Sequence, residues 1–406
     1  MKIVEASSSG WPVVVLTTFF PSSVEPYRTV FVKNLVAAMR PCRNTTVVAP
    51  VPVRPWPWRQ PVPPREETIE GIPVIHPRFL ALPGLDVLTP LTYALGVHGE
   101  LRRLRATRGR FVLHAHCAYP DGVAAALLAR WLNVPCVVTA HGSDINVYAG
   151  RATLRRQLSW ALSGAGGLVA VSRALTEQVR LLVRKTDVEI QCIPCAGFDP
   201  AMFGPRERQP QRDSLGIARH ARVVVYVGQL VALKQVDCLI SAWVALRDAG
   251  RLHEDDRLVI VGAGPKEAVL RAQVGAAGIA ALVRFTGVLP QQEVSGWISA
   301  ADVLSLPSRS EGMPNVIVEA LACGVPVVAS NVGGIPELIA EGRNGFLVPS
   351  GNTSALAEAL IRALEHPFDR LAVRRSVEEF TWDRLARRNL ELIDRITAER
   401  THAAVA

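Results

Sequence analysis

Two series of short apolar segments, separated by segments of helical length, constrain the fold of this chain more than any other feature. The segments are rich in Val, Ile and Leu and do not alternate with polar residues, as expected of strands covered on both faces of a parallel sheet. The first series comprises residues 13–17, 45–49, 111–114, 136–140, 167–171 and 189–193. The second comprises residues 223–228, 258–262, 283–286, 303–306, 325–329 and 345–348. This alternation predicts an α/β fold of two Rossmann-like domains, each a parallel sheet with helices on both sides.

The junction between the predicted domains lies in residues 197–211, which are rich in turn-forming and polar residues. We therefore predict a first domain over residues 1–199 and a second over residues 200–382. Open α/β sheets bind ligands at the carboxyl ends of their strands, so we expect the two sheets to face each other across a ligand-binding cleft. Residues 50–64 hold Trp56 and Trp58 among several prolines, and we predict a loop there. This loop is either a surface excursion or a contact with an acceptor or a membrane.

The composition excludes several classes of protein. With 49% apolar and 20% charged residues, the chain can bury sizeable cores, which excludes global disorder. It contains no run of 18 apolar residues, and its first residues make a poor signal peptide. Seven scattered cysteines, an odd number, indicate a reducing compartment rather than a disulfide framework. We therefore predict a cytoplasmic location, with the inner face of the membrane as a further site of contact.

The excess positive charge lies in the first half of the chain. Residues 1–199 contain 22 basic and 13 acidic residues, whereas residues 200–406 contain 23 of each. Two clusters carry much of this excess: Arg102, Arg103, Arg105, Arg108 and Arg110, then Arg151, Arg155 and Arg156. This pattern indicates either an anionic partner, such as a membrane surface or a phosphate-bearing acceptor, or a solvated surface of an arginine-rich chain. No recognition motif accompanies the charge, so we predict no nucleic-acid partner.

The most informative polar segment follows the predicted strand at residues 303–306. Pro314 suits the first turn of a helix and Gly324 suits its end. The helix would therefore open at the tip of a strand, where its amide groups and dipole favour a phosphate. Glu311 lies just before this helix and Glu319 about one and a half turns inside it. Carboxylates repel phosphate but accept hydrogen bonds from hydroxyls, so this segment predicts a ligand with both phosphate and sugar groups.

Three further segments end strands of the predicted second sheet. Lys234 follows one of them and can neutralise a diphosphate. Gly262 and Gly264 end the next strand, where glycine lets a ligand approach the backbone. Arg284 lies in the third segment, which ends at Gly287. Each of these signals is weak by itself.

In the first half, His141 ends a strand and can donate a hydrogen bond to a sugar or to a leaving oxygen. His114 and His116 also end a strand, but no paired carboxylate or cysteine cluster accompanies them, and we predict no metal site. The sequence has no P-loop, no G-x-S-x-G elbow and no G-x-G-x-x-G after the first strand. It also has no Asp-x-Asp that could hold a metal–diphosphate, so protein groups alone must neutralise the anion.

The order of these segments resembles that of the family 4 retaining glycosyltransferases, which have the GT-B fold. The most specific element is a Glu-x7-Glu motif from Glu311 to Glu319, which continues through Ala-Leu-Ala-Cys-Gly-Val-Pro-Val-Val-Ala-Ser to Val332-Gly-Gly-Ile-Pro-Glu337. The segments around Lys234, Gly262 and His141 fall in the family's order and spacing, so the resemblance covers nearly the whole chain.

Two segments of the first half are similar to a bacterial subgroup that synthesises exopolysaccharides or teichuronic-acid-type polymers. They are Phe20-Pro-Ser with Phe31-Val-Lys33, and His114-Ala-His-Cys-Ala-Tyr-Pro-Asp-Gly122. The resemblance implies a GT-B fold in which a C-terminal helix, residues 383–406, crosses back to the first domain. It implies transfer of a sugar from a nucleotide diphosphate donor, with uridine as the expected base, to a glycan or lipid-linked acceptor. The enzyme would be a metal-independent hexosyltransferase of class EC 2.4 without a cofactor.

The resemblance also implies residue roles. The catalytic residues would be His141 on the transferred sugar, Lys234 on the diphosphate and Glu311 on the donor sugar. Donor binding would involve Glu319, on the ribose, together with Gln229, Gly262, Gly264, Arg284, Gly312, Met313, Pro314 and Asn315. The acceptor side would comprise Thr18, Tyr119, Asp121 and Asp144.

Two positions depart from the family pattern. Gln229 stands where an arginine is common, and Thr17-Thr18-Phe19 stands where a glycine pair is common. Two alternatives therefore remain open at this point. The chain could be a nucleotide-sugar epimerase of the same fold, which needs no acceptor, or a non-catalytic homologue that acts as a partner subunit.

Overall fold

The computed structural model describes residues 10–25, 30–54, 61–82, 84–185 and 187–403. The chain divides into two compact units: Met1–Cys195 with Trp382–Ala406, and Ala196–Thr381. These junctions lie four residues and one residue from the boundaries predicted at residues 199 and 382. Trp56 and Trp58, which the sequence places in a loop, lie outside the described residues.

The first unit is built on an eight-stranded sheet and a two-stranded sheet. Its strands are β1 (Val13–Leu16), β2 (Thr45–Val48), β3 (Val51–Val53), β4 (Glu66–Ile69), β5 (Ile72–Ile75), β6 (Arg78–Leu80), β7 (Val112–His116), β8 (Cys136–Ala140), β9 (Gly167–Ala170) and β10 (Glu189–Cys192). The large sheet has the order β10-β9-β8-β7-β1-β2-β5-β4, and β3 pairs with β6. The pairs of the large sheet are parallel except β4 with β5. The helices are α1 (Val30–Met39), α2 (Thr89–Arg108), α3 (Val123–Leu132), α4 (Ser143–Asn146), α5 (Ala152–Gly164) and α6 (Arg173–Leu182).

The second unit has one six-stranded sheet in which every pair is parallel. Its strands are β11 (Val223–Val227), β12 (Arg257–Val261), β13 (Val283–Gly287), β14 (Val303–Leu306), β15 (Val327–Ser330) and β16 (Gly345–Val348). Its helices are α7 (Arg208–Leu215), α8 (Val236–Asp248), α9 (Glu267–Ala276), α10 (Gln291–Ala300), α11 (Asn315–Ala322), α12 (Thr353–Glu365) and α13 (Arg370–Arg375). The order is β13-β12-β11-β14-β15-β16.

The last helix, α14 (Trp382–Ala403), packs on the first unit.

Successive strand residues point to opposite faces of a sheet, and β1 shows this directly. Val13 and Val15 join a core with α1 and α14, whereas Val14 and Leu16 join a core with α2, α3, α5 and α6. The sheet is thus covered on both faces, which explains why its central strands read as continuous apolar runs.

Both large sheets reverse their strand order at one point, and ligands of open α/β sheets bind at the carboxyl ends of the strands on either side of such a point. In the second sheet this switch point lies between β11 and β14; in the first it lies between β1 and β7. The prediction of two Rossmann-like domains is confirmed. The prediction of a loop over residues 50–64 is wrong for Val51–Val53, which form β3 and pair with β6. Strands β4 to β6 and helix α2 were not predicted from the sequence.

Candidate active site

Lys234 and Glu311 meet at the switch point of the second sheet. Lys234 closes the short 3₁₀ segment after β11, and Glu311 lies in the loop after β14. The Lys234 Nζ atom lies 2.6 Å from Glu311 Oε1, with the side chains 23% and 10% exposed. The Arg309 amide donates to the Leu233 carbonyl at 2.8 Å and so joins the two loops. An ammonium and a carboxylate therefore stand side by side where the fold binds ligands.

A buried serine holds Glu311 in place. Ser308 is fully buried, and its Oγ atom donates to Glu311 Oε1 at 2.6 Å, the same oxygen that Lys234 contacts. The Ser308 carbonyl lies 3.3 Å from Ser350 Oγ, which lies 2.8 Å from Gln235 Oε1 at the start of α8. Ser308 could not be singled out from the sequence, because nothing in a strand-to-loop junction shows which hydroxyl will face a carboxylate.

We expect Ser308→Ala to lower the rate of sugar transfer roughly tenfold or more, because a hydrogen bond to a charged group contributes about 1.5–3 kcal/mol. The matched control is Ser305→Ala on β14, since Ser305 is equally buried but its Oγ has no partner among the described residues. Steady-state kinetics and thermal unfolding of both variants provide the measurement. Equal losses in the two variants would show that Ser308 acts only as a packing residue.

Two glycines after β15 fit closely against the Glu311 loop. A Cβ atom on Gly333 would lie 1.9 Å from the Glu311 carbonyl oxygen, and one on Gly334 would lie 2.6 Å from the Gly312 carbonyl oxygen. Gly333 also has a φ of 57°, and the Gly334 amide donates to the Gly312 carbonyl at 2.7 Å. Side chains at either position would displace the loop that carries Glu311.

Helix α11 begins where the sequence predicts, although Pro314 is the residue before its first turn rather than part of it. Pro314 has extended backbone angles, so the helix begins at Asn315. Gly312 to Pro314 lead into this helix N-terminus, where backbone N–H groups without an intrahelical partner favour an anion. Met313 is buried, whereas Gly312 is exposed. This is the backbone geometry expected of a phosphate-binding site at a helix N-terminus.

Glu319 lies in α11 and is partly buried. Loss of hydration raises the pKa of its carboxyl to about 7, and a hydrogen bond from the Gln291 side chain opposes this rise. Gln291 is the first residue of α10. A carboxylate in such surroundings gains from accepting further hydrogen bonds, as ribose hydroxyls would supply.

The glycine-rich turn after β12 packs on the neighbouring loop. A Cβ atom on Gly262 would lie 2.0 Å from the Gly228 carbonyl oxygen, and one on Gly264 would lie 2.5 Å from that of Leu230. We expected these glycines to let a ligand approach the backbone. In the structure, the loop after β11 occupies the space in which side chains at these two positions would lie. That loop carries Gln229, whose side chain is exposed and whose carbonyl accepts a hydrogen bond from the buried Tyr226 hydroxyl at 2.9 Å.

Arg284 is not brought to this edge of the sheet, and its predicted place beside the base is wrong. It pairs in register with Val259, in the middle of β12, rather than with the strand end. Its guanidinium stacks on the Trp297 ring at 4.8 Å and lies 3.3 Å from the Leu215 carbonyl oxygen. The sequence showed which segment is a strand but not that Arg284 lies near its start.

At the switch point of the first sheet, Asp121 binds the loop after β1. It is fully buried and accepts hydrogen bonds from the Thr18 amide at 2.5 Å, the Thr18 hydroxyl at 3.0 Å and the Tyr93 hydroxyl at 2.9 Å. Burial raises the pKa of Asp121 to about 7, and these hydrogen bonds oppose the rise. Thr18 and Asp121, both predicted on the acceptor side, are in direct contact, and that role stays a prediction. Tyr93 is a partner that could not be read from the sequence.

The raised pKa of Asp121 predicts a pH-dependent stability. The folded state holds this proton more tightly than the unfolded state, where the pKa is near 3.8, so the contribution of Asp121 is lost as pH rises towards about 7. Asp121→Asn retains an acceptor for Thr18 and Tyr93 but has no proton to lose. We therefore expect its unfolding midpoint to rise relative to wild type between about pH 4 and pH 7, whereas the exposed control Asp213→Asn does not. A constant difference across this range would contradict the assignment.

Asp144 organises the loop that carries His141. It accepts the Ala118 amide at 2.6 Å, the Gly142 amide at 2.7 Å and the His141 amide at 3.0 Å. Burial raises the pKa of Asp144 and the three amides oppose the rise. Asp144 therefore acts on the backbone of the His141 loop, and no described contact directs it to solvent.

His141 is part of a cluster of three histidines. His141 Nε2 lies 3.4 Å from His116 Nδ1, and His114 Nε2 lies 2.9 Å from the Thr139 hydroxyl. Burial lowers the pKa of His141 to about 4 and that of His114 to about 3, and it lowers the pKa of His116 as well. The three rings are therefore neutral near pH 7 and can exchange hydrogen bonds without like-charge repulsion.

Tyr119 is not placed as an accessible acceptor-side residue. It is 3% exposed, its hydroxyl donates to the Asp86 carbonyl, and its ring lies 4.6 Å from that of Tyr148. Its side chain thus serves the packing of the first unit. Within the ranges that the structure describes, no group of three or more His, Cys, Asp or Glu residues is placed to hold a metal ion.

Comparison with known proteins identifies the family. The family profile described as "Glycosyltransferase Family 4" matches residues 7–196, and that described as "Glycosyl transferases group 1" matches residues 221–366. The putative teichuronic acid biosynthesis glycosyltransferase TuaC of Bacillus subtilis is 32% identical over 362 residues, which cover 86% of this chain and 87% of that protein. The chain belongs to glycosyltransferase family 4.

Solved structures show the fold of this family 4 glycosyltransferase. Sucrose-phosphate synthase from Thermosynechococcus elongatus matches with a TM-score of 0.73 at 20% identity and covers 96% of this chain and 100% of its own. Anabaena Alr3699/HepE, solved in complex with UDP, matches with a TM-score of 0.70 at 19% identity and covers 94% and 98%. The prediction of the GT-B fold is confirmed, and the chain is a glycosyltransferase of class EC 2.4 that acts in glycan biosynthesis.

Proposed function

We propose that this glycosyltransferase moves a hexose from a uridine diphosphate sugar to a glycan or lipid-linked acceptor, with retention of configuration and without a metal ion. The observation that carries the proposal is the Lys234–Glu311 pair at the switch point of the second sheet, in which Glu311 lies in the loop that leads into α11. A cation and helix amides suit a diphosphate, and a carboxylate suits sugar hydroxyls. The UDP bound by Anabaena Alr3699/HepE, a protein of the same fold, supports the choice of base.

In this mechanism the bond between the sugar and the diphosphate breaks while the acceptor oxygen forms its bond on the same face. The acceptor proton passes to the departing phosphate oxygen. Lys234 and the backbone N–H groups of Gly312, Met313 and Asn315 would stabilise the charge that develops on the leaving group, which is commonly the largest catalytic effect. Pro314 has no N–H to contribute. Glu311 already accepts hydrogen bonds from Lys234 and Ser308, and such bonds weaken a carboxylate as a nucleophile. We therefore propose that Glu311 positions a sugar hydroxyl and forms no covalent intermediate.

Donor binding is proposed to depend on Glu319. We expect Glu319→Gln to raise the KM for the donor about tenfold or more while kcat changes less, because a carboxylate that accepts ribose hydroxyls acts equally in the ground and transition states. A donor that lacks the ribose 2′-hydroxyl provides the control. Wild type should discriminate against it and the variant should not; equal discrimination by both proteins would remove Glu319 from the ribose.

The activity is tested by incubating the full chain with a panel of nucleotide diphosphate sugars and a native mixture of glycans and lipid-linked acceptors, in the presence of a chelator. The proposal predicts release of UDP only when an acceptor is present, and a product with the anomeric configuration of the donor. An altered sugar without acceptor would indicate the epimerase. Donor binding without turnover would indicate the non-catalytic homologue, and loss of transfer on chelation would contradict metal independence.

We also propose a peripheral contact between the first unit and an anionic membrane at the inner face of the cytoplasmic membrane. It rests on the predicted arginine clusters of residues 102–110 and 151–156. Among the described residues, no helix is both long and apolar enough to cross a bilayer. The arginines of these two clusters differ in whether another part of the protein binds them. Four of them have partners on the protein: Arg103 with Glu100, Arg108 with Thr46, Arg110 with Trp11 and Arg151 with Asp86.

A further inference from the structure

The outer faces of α2, α3 and α5 combine exposed apolar side chains with arginines. On α2, Leu91 and Leu95 are 43% and 62% exposed, and Leu88 just before the helix is 43% exposed. Trp131 near the end of α3 and Trp160 on α5 are 42% and 43% exposed. Large apolar side chains that stay exposed on neighbouring helices of one layer mark a surface that binds something.

These side chains lie on neighbouring helices, since α3 contacts both α2 and α5. The Trp131 ring lies 5.7 Å from the ring of His98 on α2, in an edge-on arrangement. The Gln157 side chain of α5 donates to the Val87 carbonyl, just before α2, at 2.9 Å. The spacing of Leu88, Leu91 and Leu95 places them on one face of α2, and Arg102 continues that face two turns later. We call this surface, made of Leu88, Leu91, Leu95, Arg102, Trp131 and Trp160, the α2–α5 face.

The charge around the α2–α5 face is almost entirely positive. Helices α2, α3 and α5 together carry seven arginines and one acidic residue, Glu100, which is engaged by Arg103. Arg102, Arg105, Arg155 and Arg156 are exposed and form no ion pair within the residues that the structure describes. An ordinary solvated surface would mix both signs, and a second copy of this chain would bring like charges together.

We infer that the α2–α5 face inserts Trp131, Trp160 and the α2 leucines into the interface of an anionic bilayer. Tryptophan is favoured at the level of lipid head groups, where its ring meets the acyl chains and its N–H meets water. Arginine stems can lie along the same apolar level while their guanidinium groups reach lipid phosphates. Such insertion adds to the electrostatic attraction of the arginine clusters proposed above. Part of the binding is then hydrophobic and therefore persists at high salt.

The test is co-sedimentation of the full chain with phosphatidylcholine vesicles, with and without phosphatidylglycerol, at low and high salt. Wild type should bind the anionic vesicles. Trp131→Ala with Trp160→Ala should lower the partition coefficient about tenfold at both salt concentrations, because two apolar contacts are lost. Arg102→Gln with Arg156→Gln should lower it about tenfold at low salt and much less at high salt. The controls Leu371→Ala and Arg343→Gln, exposed positions of the second unit, should bind as wild type.

Three results would overturn the inference. They are failure of wild type to bind anionic vesicles, equal loss of binding in the controls, and unchanged binding by the tryptophan pair. If the tryptophan pair instead abolished self-association in sedimentation velocity and left vesicle binding unaltered, the face would join two copies of the chain. Unfolding midpoints of all variants show whether each remains folded. The assay contains neither donor nor acceptor, so its failure would leave the transferase proposal intact.

Discussion

Replacing Lys234 by alanine should lower sugar transfer by at least about two orders of magnitude, the scale of losing one strong electrostatic contact to a developing charge. The structure places its ammonium at the switch point, 2.6 Å from Glu311 in the loop that leads into α11, where we propose that the diphosphate leaves. Gln229 stands where the family commonly has a second cation, so we expect Lys234 to bear more of the charge neutralisation. The measurement is the initial rate of UDP release in the presence of acceptor.

The control for this variant is Lys185→Ala, an exposed lysine of the first unit, which should transfer as wild type. Titration with UDP alone gives a second readout. Lys234→Ala should bind UDP about tenfold or more weakly, because the lost ammonium contacts the diphosphate itself. Near-normal transfer and UDP binding in a folded Lys234→Ala variant would contradict the role of Lys234.

Replacing Glu311 by alanine should also lower transfer by at least about two orders of magnitude, because the sugar loses the carboxylate that orients it. The effect on UDP binding should have the opposite sign to that of Lys234→Ala. Glu311 holds the ammonium at 2.6 Å, and its removal releases Lys234 to the diphosphate. We therefore expect Glu311→Ala to bind UDP at least as tightly as wild type while it fails to transfer sugar.

The exposed Glu358→Ala on α12 is the matched control for Glu311→Ala and should behave as wild type. The double variant of Lys234 and Glu311 should lose less activity than the product of the two single losses, since the pair acts as one unit. Strictly multiplicative losses would show that the two side chains act independently, in conflict with the observed ion pair.

Sequence periodicity predicted most strands of the two large sheets because buried parallel strands leave continuous apolar runs. It missed β4 and β5, in which exposed residues alternate with half-buried or buried ones, and α2, whose polar and glycine residues obscure its buried face. The sequence could place Lys234 and Glu311 at the same edge of the second sheet, because each residue follows the end of a strand. A contact such as Ser308 with Glu311 could not, because side-chain direction depends on the packing of a loop.

Arg284 and Tyr119 show the limit of a resemblance. Both lie in matching segments, yet Arg284 stacks on Trp297 and the Tyr119 hydroxyl is bound by Asp86. Gly262 and Gly264 also lie in a matching segment. Glycine is required there because the neighbouring backbone leaves no room for a side chain. The residue types at these positions are compatible with several contacts, and only the three-dimensional packing selects one.

The most direct test of the central claim is a crystal structure of the protein with a bound uridine diphosphate sugar. Our account predicts that the diphosphate lies within hydrogen-bond distance of Lys234 Nζ and of backbone N–H groups among Gly312, Met313 and Asn315. It also predicts that Glu311 contacts a hydroxyl of the sugar and Glu319 the ribose. A donor bound at another edge of the second sheet, or one whose diphosphate leaves the Lys234–Glu311 pair untouched, would contradict it.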